Sequence, residues 1–93
     1  MSTSVAVTGV MTAMDPMSFA VEVRDDDSST EHMVTLVRGD YERLSRQGEE
    51  PEAFVERCFE FLLEREDKGS ILRTFDVGLI SHYFPEFESV ISG

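Results

Sequence analysis

The stretch from residue 51 to residue 66 reads PEAFVERCFEFLLERE, and it decides the fold. Apolar side chains recur along it at the three- and four-residue spacing of one helix face, while glutamates occupy every fourth position of the opposite face. Pro51 suits the first position of a helix, and the acidic residues near it favour the positive end of the helix dipole. This pattern predicts an amphipathic helix whose apolar stripe faces a core. The stripe comprises Phe54, Val55, Cys58, Phe59, Phe61, Leu62 and Leu63.

A β-hairpin is predicted before this helix. Phe19, Val21 and Val23 alternate with more polar residues, which is the period of a strand with one buried face. A polar turn run follows at residues 25–30, and residues 33–37 form a second β-rich segment. We therefore expect two paired strands joined by a long acidic loop.

Shorter helices are predicted on both sides of the long one. Asp40 can cap a short helix that ends at Arg46. Asp76 can cap a third helix, and Pro85 should close it because a proline disfavours helical angles in the residue before it. Residues 86–93 carry apolar side chains at helical spacing and predict one further turn.

The length bounds the architecture, since 93 residues have room for one small domain. We expect residues 17–93 to form a single α+β domain in which an N-terminal β-hairpin packs on two to three helices. Residues 1–16 have a weaker pattern and are expected to form a flexible arm or an additional edge strand. The predicted core comprises Phe19, Val21, Phe54, Phe59, Leu62, Ile80 and Phe84.

Charge is the strongest compositional signal, because 19 acidic residues against 8 basic ones give a formal net charge of −11. Nucleic acids and anionic membranes require clustered cations, and here the basic residues are dispersed, so we expect neither as a partner. No stretch has the length of a membrane span or the pattern of a signal peptide. A single cysteine, Cys58, fits the reducing cytoplasm. The acidic field favours a protein partner with a basic surface.

Candidate catalytic and metal-binding residues are few. His32 and His82 have no spacing typical of a metal site and no second catalytic residue that can be named, so structural or surface roles are expected. Cys58 lies in the apolar stripe and is expected in the core. The Asp25–Asp27 run lacks the ligand spacing of a calcium loop and fits a solvated loop. We expect no catalytic activity, no metal and no cofactor.

An aromatic cluster, YFPEF at residues 83–87, allows two interpretations. The rings can close a core that is too small for the helices alone to cover. Alternatively they form an exposed patch, rimmed by acidic residues, that binds a partner. On this second interpretation the partner-binding residues are Tyr83, Phe84, Glu86, Phe87 and Glu88.

Two resemblances accompany these patterns. The order of a β-rich segment at 33–37, a short helix at 40–46, a glycine turn and a longer helix at 51–66 resembles the ribbon-helix-helix family. That resemblance implies dimers that pair one strand from each subunit, DNA binding by the ribbon, and a role as repressor or antitoxin. The ribbon residues it implies are Met33, Thr35 and Val37, or else His32, Val34 and Leu36.

The C-terminal half carries the second resemblance. Its segments FEFLLERE at 59–66, SILR at 70–73, FD at 75–76 and YFPEFE at 83–88 look like part of a family of small uncharacterised bacterial proteins. This resemblance indicates that the long helix, the connector and the aromatic end form one unit.

The leading hypothesis is a non-catalytic acidic protein-interaction module that acts as an adaptor, a small accessory subunit or a regulator. Its motivation is the net charge, the aromatic end and the lack of a recognisable catalytic constellation. The alternative is a dimeric ribbon-helix-helix transcriptional regulator or antitoxin. Whether the strands pair within one chain or between two chains, as in a homodimer, is left open by the sequence.

Overall fold

A four-stranded sheet forms one layer of the protein, which a computed structural model describes from residue 3 to residue 92. Its strands are β1 (Ser4–Met11), β2 (Met17–Arg24), β3 (Ser29–Leu36) and β4 (Thr74–Asp76), in the spatial order β1-β2-β3-β4. The first three pair antiparallel, and β4 is parallel to β3. The predicted hairpin is confirmed, and a strand is added on each side of it. Residues 1–2 and 93, the ends of the predicted arm and domain, lie outside the described residues.

One face of the sheet is buried and the other faces solvent, as is common for antiparallel sheets. In β2 the buried side chains are those of Met17, Phe19, Val21 and Val23. β3 begins at Ser29, four residues before the predicted strand, because its pairing with β2 continues through a polar segment that has no apolar alternation. Of the two alternatives for the first sixteen residues, the structure contains the edge strand, β1.

Helices form the second layer: α1 (Arg38–Leu44), α2 (Pro51–Leu63), α3 (Ile80–Tyr83) and α4 (Phe87–Ile91), with 3-10 turns at Lys68–Ser70 and Val77–Leu79. Pro51 is the first residue of α2, as predicted, but this helix ends three residues before Glu66. α1 begins two residues before Asp40 because the Val37 carbonyl accepts the first helical hydrogen bonds. The Asp40 cap is therefore wrong, and this carboxylate lies in the first turn.

The C-terminal elements follow their predicted signals. The Asp76 side chain accepts a hydrogen bond from the Gly78 N–H, 2.8 Å away, which confirms it as a helix cap. α3 ends at Tyr83, two residues before Pro85, and α4 supplies the further turn. The strand β4 was not predicted, and it attaches this region to the sheet.

The core lies between the sheet and α2, which buries its apolar stripe against the sheet and lies closest to β1 among the four strands. All of the predicted core residues are buried except Phe84, which is half-buried. α4 closes the far end of α2, where the rings of Phe61 and Phe87 pack edge to face with centroids 5.0 Å apart. The α+β class is confirmed. Among residues 3–92, no helix is both long enough and apolar enough to cross a membrane.

Candidate protein-docking groove

An apolar groove of about 300 Å³ lies beside β4, between the end of α2 and the short helix α3. Four buried side chains line it: Leu62 from α2, Ile71 from the connector, Phe75 from β4 and Ile80 from α3. Exposed apolar residues line the groove as well. It is the place where the long helix, the connector and the aromatic end meet.

Two of the side chains that line this groove are apolar and open to solvent. Leu72 is 50% exposed and Tyr83 is 62% exposed, and the half-buried ring of Phe84 lies with them. Exposed apolar side chains are ordinary when scattered, but here they adjoin a groove that is itself apolar. The arrangement offers a contiguous surface on which an apolar side chain of another molecule can be buried.

The connector that carries Leu72 is fixed by a buried histidine. His32 on β3 lies 2.8 Å from the Leu72 carbonyl through Nδ1 and 2.8 Å from the Thr30 hydroxyl through Nε2. A carbonyl can only accept, so Nδ1 carries the hydrogen and donates it to Leu72. In the neutral ring Nε2 then accepts from Thr30. His32 therefore has a structural role, as predicted: its hydrogen bonds position the backbone of Leu72 at the groove.

A carboxylate, Glu66, lines the groove among these apolar groups. Burial raises the pKa of Glu66 above its usual range. Within residues 3–92 no cation pairs with it, because Arg65 binds Glu64 and Glu86 while Lys68 binds Asp25. Glu66 therefore bears part of the cost of desolvating a charge without a compensating cation. A cationic group delivered to the groove would offset that cost.

The predicted partner-binding residues separate into three groups. Tyr83 and Phe84 come together at the groove. Phe87 is 1% exposed and packs on Phe61, so it belongs to the core and presents no surface to a partner. Glu86 and Glu88 are held in ion pairs, Glu86 with Arg65 at 3.0 Å and Glu88 with Arg43 at 2.8 Å.

Sequence reasoning missed Glu66 and Leu72. A signal for Glu66 was present: it follows Leu62 by four residues, so helical spacing puts it on the apolar face and not with Glu60 and Glu64 on the acidic one. Its N–H continues the helical pattern by donating to the Leu62 carbonyl at 2.9 Å. Leu72 had no comparable signal, because its exposure depends on the docking of β4.

The other candidate residues have structural surroundings. Burial raises the pKa of the Cys58 thiol, which is 1% exposed, so this cysteine is held as an unreactive thiol. The Asp25 carboxylate accepts from the Asp27 and Ser28 N–H groups and from Lys68 Nζ, which holds the β2–β3 turn closed. In the part of the chain that the structure describes, no three potential metal ligands come together.

The strand that the ribbon-helix-helix resemblance assigns to pairing between subunits has neighbours on both sides here. β3 pairs with β2 along its length and with β4 from Met33 to Thr35.

At the turn before α2, Glu49 binds Arg57 at 2.6 Å, an ion pair between side chains that are 10% and 17% exposed.

Comparisons with protein-family models, with curated proteins and with solved structures find no match for this chain.

Proposed function

We propose that this chain is a non-catalytic acidic protein-interaction module whose groove binds an apolar side chain of a partner with a basic surface. One observation carries the proposal: exposed Leu72 and Tyr83 lie at an apolar groove together with Glu66, a carboxylate that forms no ion pair among the described residues. Apolar surface combined with polar groups is typical of protein-docking sites. An adaptor, a small accessory subunit and a regulator would each use such a surface.

The charge of the rest of the surface supports a basic partner. Glu52, Glu56 and Glu60 follow one another along α2 and form no ion pair within the described residues. With a net charge of −11, the molecule attracts a cationic protein over a Debye length of about 8 Å and raises its encounter rate. The groove then supplies short-range contact, which long-range charge alone does not.

The size and chemistry of the groove define the motif that fits it. A volume of about 300 Å³ is at the lower end of ligand pockets and suits one large apolar side chain. A Lys or Arg next to that side chain can reach Glu66 and form a charge-assisted hydrogen bond. The proposed ligand is therefore a Leu or Phe beside a Lys or Arg on the surface of the partner.

Short peptides test this proposal directly. The isotope-labelled protein is titrated with capped peptides that carry Phe-Lys or Leu-Arg, and its amide chemical shifts are followed by NMR. Peptides in which Ser replaces the apolar residue, or Glu replaces the basic one, serve as controls. We expect shifts at the groove with the first set only. A contradicting result is a set of shifts that spread along the α2 glutamates and that the Ser peptides reproduce equally. Such shifts would show charge attraction without docking and would contradict binding in the groove.

Three variants locate the binding. Tyr83→Ala and Glu66→Gln should each raise the Kd of the Phe-Lys peptide by about tenfold, equivalent to about 1.4 kcal/mol. Val90→Ala is the matched control, since Val90 is 49% exposed but lies on α4 and does not line the groove. Equal weakening by all three variants would mean that the peptide does not bind where we place it.

The alternative of a ribbon-helix-helix regulator requires the ribbon strand to pair with that of a second subunit. β3 lies between β2 and β4, which favours the interaction module over this alternative. A salt-dependent shift of labelled duplex DNA by the pure protein would reverse this preference.

A further inference from the structure

The outer edge of β1 has no partner strand within residues 3–92. This edge strand is eight residues long, and from residue 3 to residue 14 the sequence contains no Asp, Glu, Lys or Arg. Natural sheets usually protect a long edge with charges, prolines or irregularities, because its free N–H and C=O groups can pair with another strand. β1 has one irregularity, between Val7 and Gly9, and no charged side chain.

The apolar side chains of β1 leave the core incompletely covered at this edge. Val5 and Val7 are half-buried and pack against the core cluster. Val10 lies opposite Phe19, and it is 46% exposed. A further strand beside β1 would cover these side chains as well as its backbone.

We propose that β1 pairs antiparallel with β1 of a second copy and so forms a homodimer with a continuous eight-stranded sheet. A two-fold axis makes one edge complementary to itself, so valines of one copy meet valines of the other. Charge selects this occupant. In a chain of net charge −11, this edge is a place where two copies can meet without carboxylates in the paired strands. A basic partner would find no carboxylate there.

The strand order fixes the geometry of the dimer. Across the interface the strands run β4-β3-β2-β1-β1-β2-β3-β4, so the two docking grooves, which lie beside β4, are at the opposite ends of the sheet. Dimerisation leaves both grooves open and makes the particle bivalent toward a multimeric partner. The bivalency rests on the proposed function, whereas the strand pairing does not.

Light scattering after gel filtration tests the pairing on the full chain. We expect a mass that rises with concentration to twice the 10.5 kDa of one chain. Higher salt should strengthen the dimer, because it screens the repulsion between two acidic copies. A mass of one chain at every concentration up to the millimolar range, at low and at high salt, would overturn the proposal.

A pair of matched variants places the interface. Val10→Lys puts a charge on the β1 edge, and Val90→Lys puts the same charge on α4 at nearly equal exposure, 46% against 49%. Val10→Lys should weaken the dimer about tenfold or more, about 1.4 kcal/mol or more, and Val90→Lys should not. Both variants lower the net negative charge, so repulsion between chains cannot explain a loss. A dimer that both variants weaken equally, or that neither weakens, would place the interface elsewhere.

Cysteine cross-linking tests the same pairing by trapping neighbouring β1 strands covalently. Single cysteines replace Ser4, Ala6 and Thr8 in turn, and Ser89→Cys is the control on α4, while buried Cys58 is retained. After mild oxidation with copper phenanthroline, we expect one β1 position, the one nearest the two-fold axis, to form disulfide-linked dimers fastest. Equal cross-linking through Ser89→Cys would contradict pairing through β1.

Discussion

The two edges of the sheet are attached in different ways. β1 follows β2 in antiparallel register from Ser4 to Met11, and its one side-chain bond to that strand is a weak one, from Thr8 to the Ala20 carbonyl at 3.4 Å. β4 pairs with β3 over three residues and is clamped by side chains of β3: His32 binds the Leu72 carbonyl, and Thr35 donates to Asp76 at 2.6 Å.

This contrast shows what a short strand needs. A long antiparallel edge strand gains enough from its backbone ladder and half-buried side chains to need no clamp, and its other edge stays available. A three-residue parallel strand forms few backbone hydrogen bonds, and these must offset the conformational entropy lost when the strand is ordered. Specific side-chain bonds therefore complete its attachment. If this is correct, losses of side chains should affect the β4 edge more than the β1 edge.

The largest effect should follow removal of the ring beneath the β4 edge. Phe59 is fully buried, with ring centroids 5.3 Å from His32 and 5.8 Å from Phe75. Phe59→Ala should reduce the free energy of unfolding by about 3–5 kcal/mol, a large part of the 5–15 kcal/mol typical of a domain. Urea unfolding followed by circular dichroism measures the loss.

The half-buried ring of Phe84 provides the comparison for this substitution. Phe84→Ala should cost only about 1–2 kcal/mol, because part of that ring is already in contact with water. Equal losses for Phe59→Ala and Phe84→Ala would mean that the groove ring is as much a part of the core as the ring under β4.

The second prediction compares the two histidines. His32→Ala leaves the Leu72 carbonyl without its donor and opens a cavity, so it should cost about 2–3 kcal/mol. His82 is exposed on α3, and His82→Ala should change stability by less than about 0.5 kcal/mol. Hydrogen exchange gives the local test: in His32→Ala the Met33 N–H, which donates to the Arg73 carbonyl at 2.7 Å, should exchange faster. Unchanged exchange would show that His32 does not hold this edge.

The third prediction applies one substitution to both edges. Thr35→Val removes the hydroxyl that binds the Asp76 carboxylate, and hydrogen bonds to charged groups are the stronger class, so the loss should be about 1–2 kcal/mol. Thr8→Val removes only the 3.4 Å bond on β1 and should cost less than about 0.5 kcal/mol. Both losses of unfolding free energy are measured from the shift of the urea midpoint. The contrast between the edges fails if Thr8→Val proves the more damaging change.

The same contrast explains which elements could be predicted from sequence. β2 and α2 have apolar periods that local spacing reveals. Pro51 marks a helix start through its fixed backbone angle, and Asp76 marks one through its bond to the nearby Gly78 N–H. β4 is three residues long, and its side-chain bond from Thr35 to Asp76 joins residues 41 apart in the chain. Nothing in its own three residues specifies that partner, so this strand could not be found locally.

For a similar reason, only part of the groove lining had a signal in the sequence. An aromatic cluster was visible in the sequence, and Tyr83 and Phe84 do line the groove. Phe87 belongs to the same aromatic cluster but lies on α4, which is five residues long. A helix this short has too few residues for its sequence to show which face is buried. The Phe87 ring turns inward because it packs on Phe61, a tertiary contact that the local sequence does not specify.

The smallest effect concerns a clamp near the surface, and it depends on pH. Lys68, in the turn before β4, binds Asp25 in the β2–β3 turn at 2.6 Å. This bond, with the Ser28 and Asp27 N–H groups, lowers the pKa of Asp25 from 3.8 to about 2. A carboxyl whose pKa is lower in the folded state stabilises the fold above its unfolded value, and that contribution disappears as the pH falls from about 4 to about 2.

Asp25→Asn isolates the charge, because the amide oxygen of Asn can still accept from the two turn N–H groups. The variant should have a lower urea midpoint than the native protein at pH 7, and the gap should close as the pH falls through the same window. Asp26→Asn is the control, since the Asp26 side chain takes part in no hydrogen bond or ion pair of the described residues, and it should follow the native curve. If the gap between Asp25→Asn and the native protein were as wide at pH 2 as at pH 7, the Lys68–Asp25 charge pair would not be what joins the hairpin to the β4 edge.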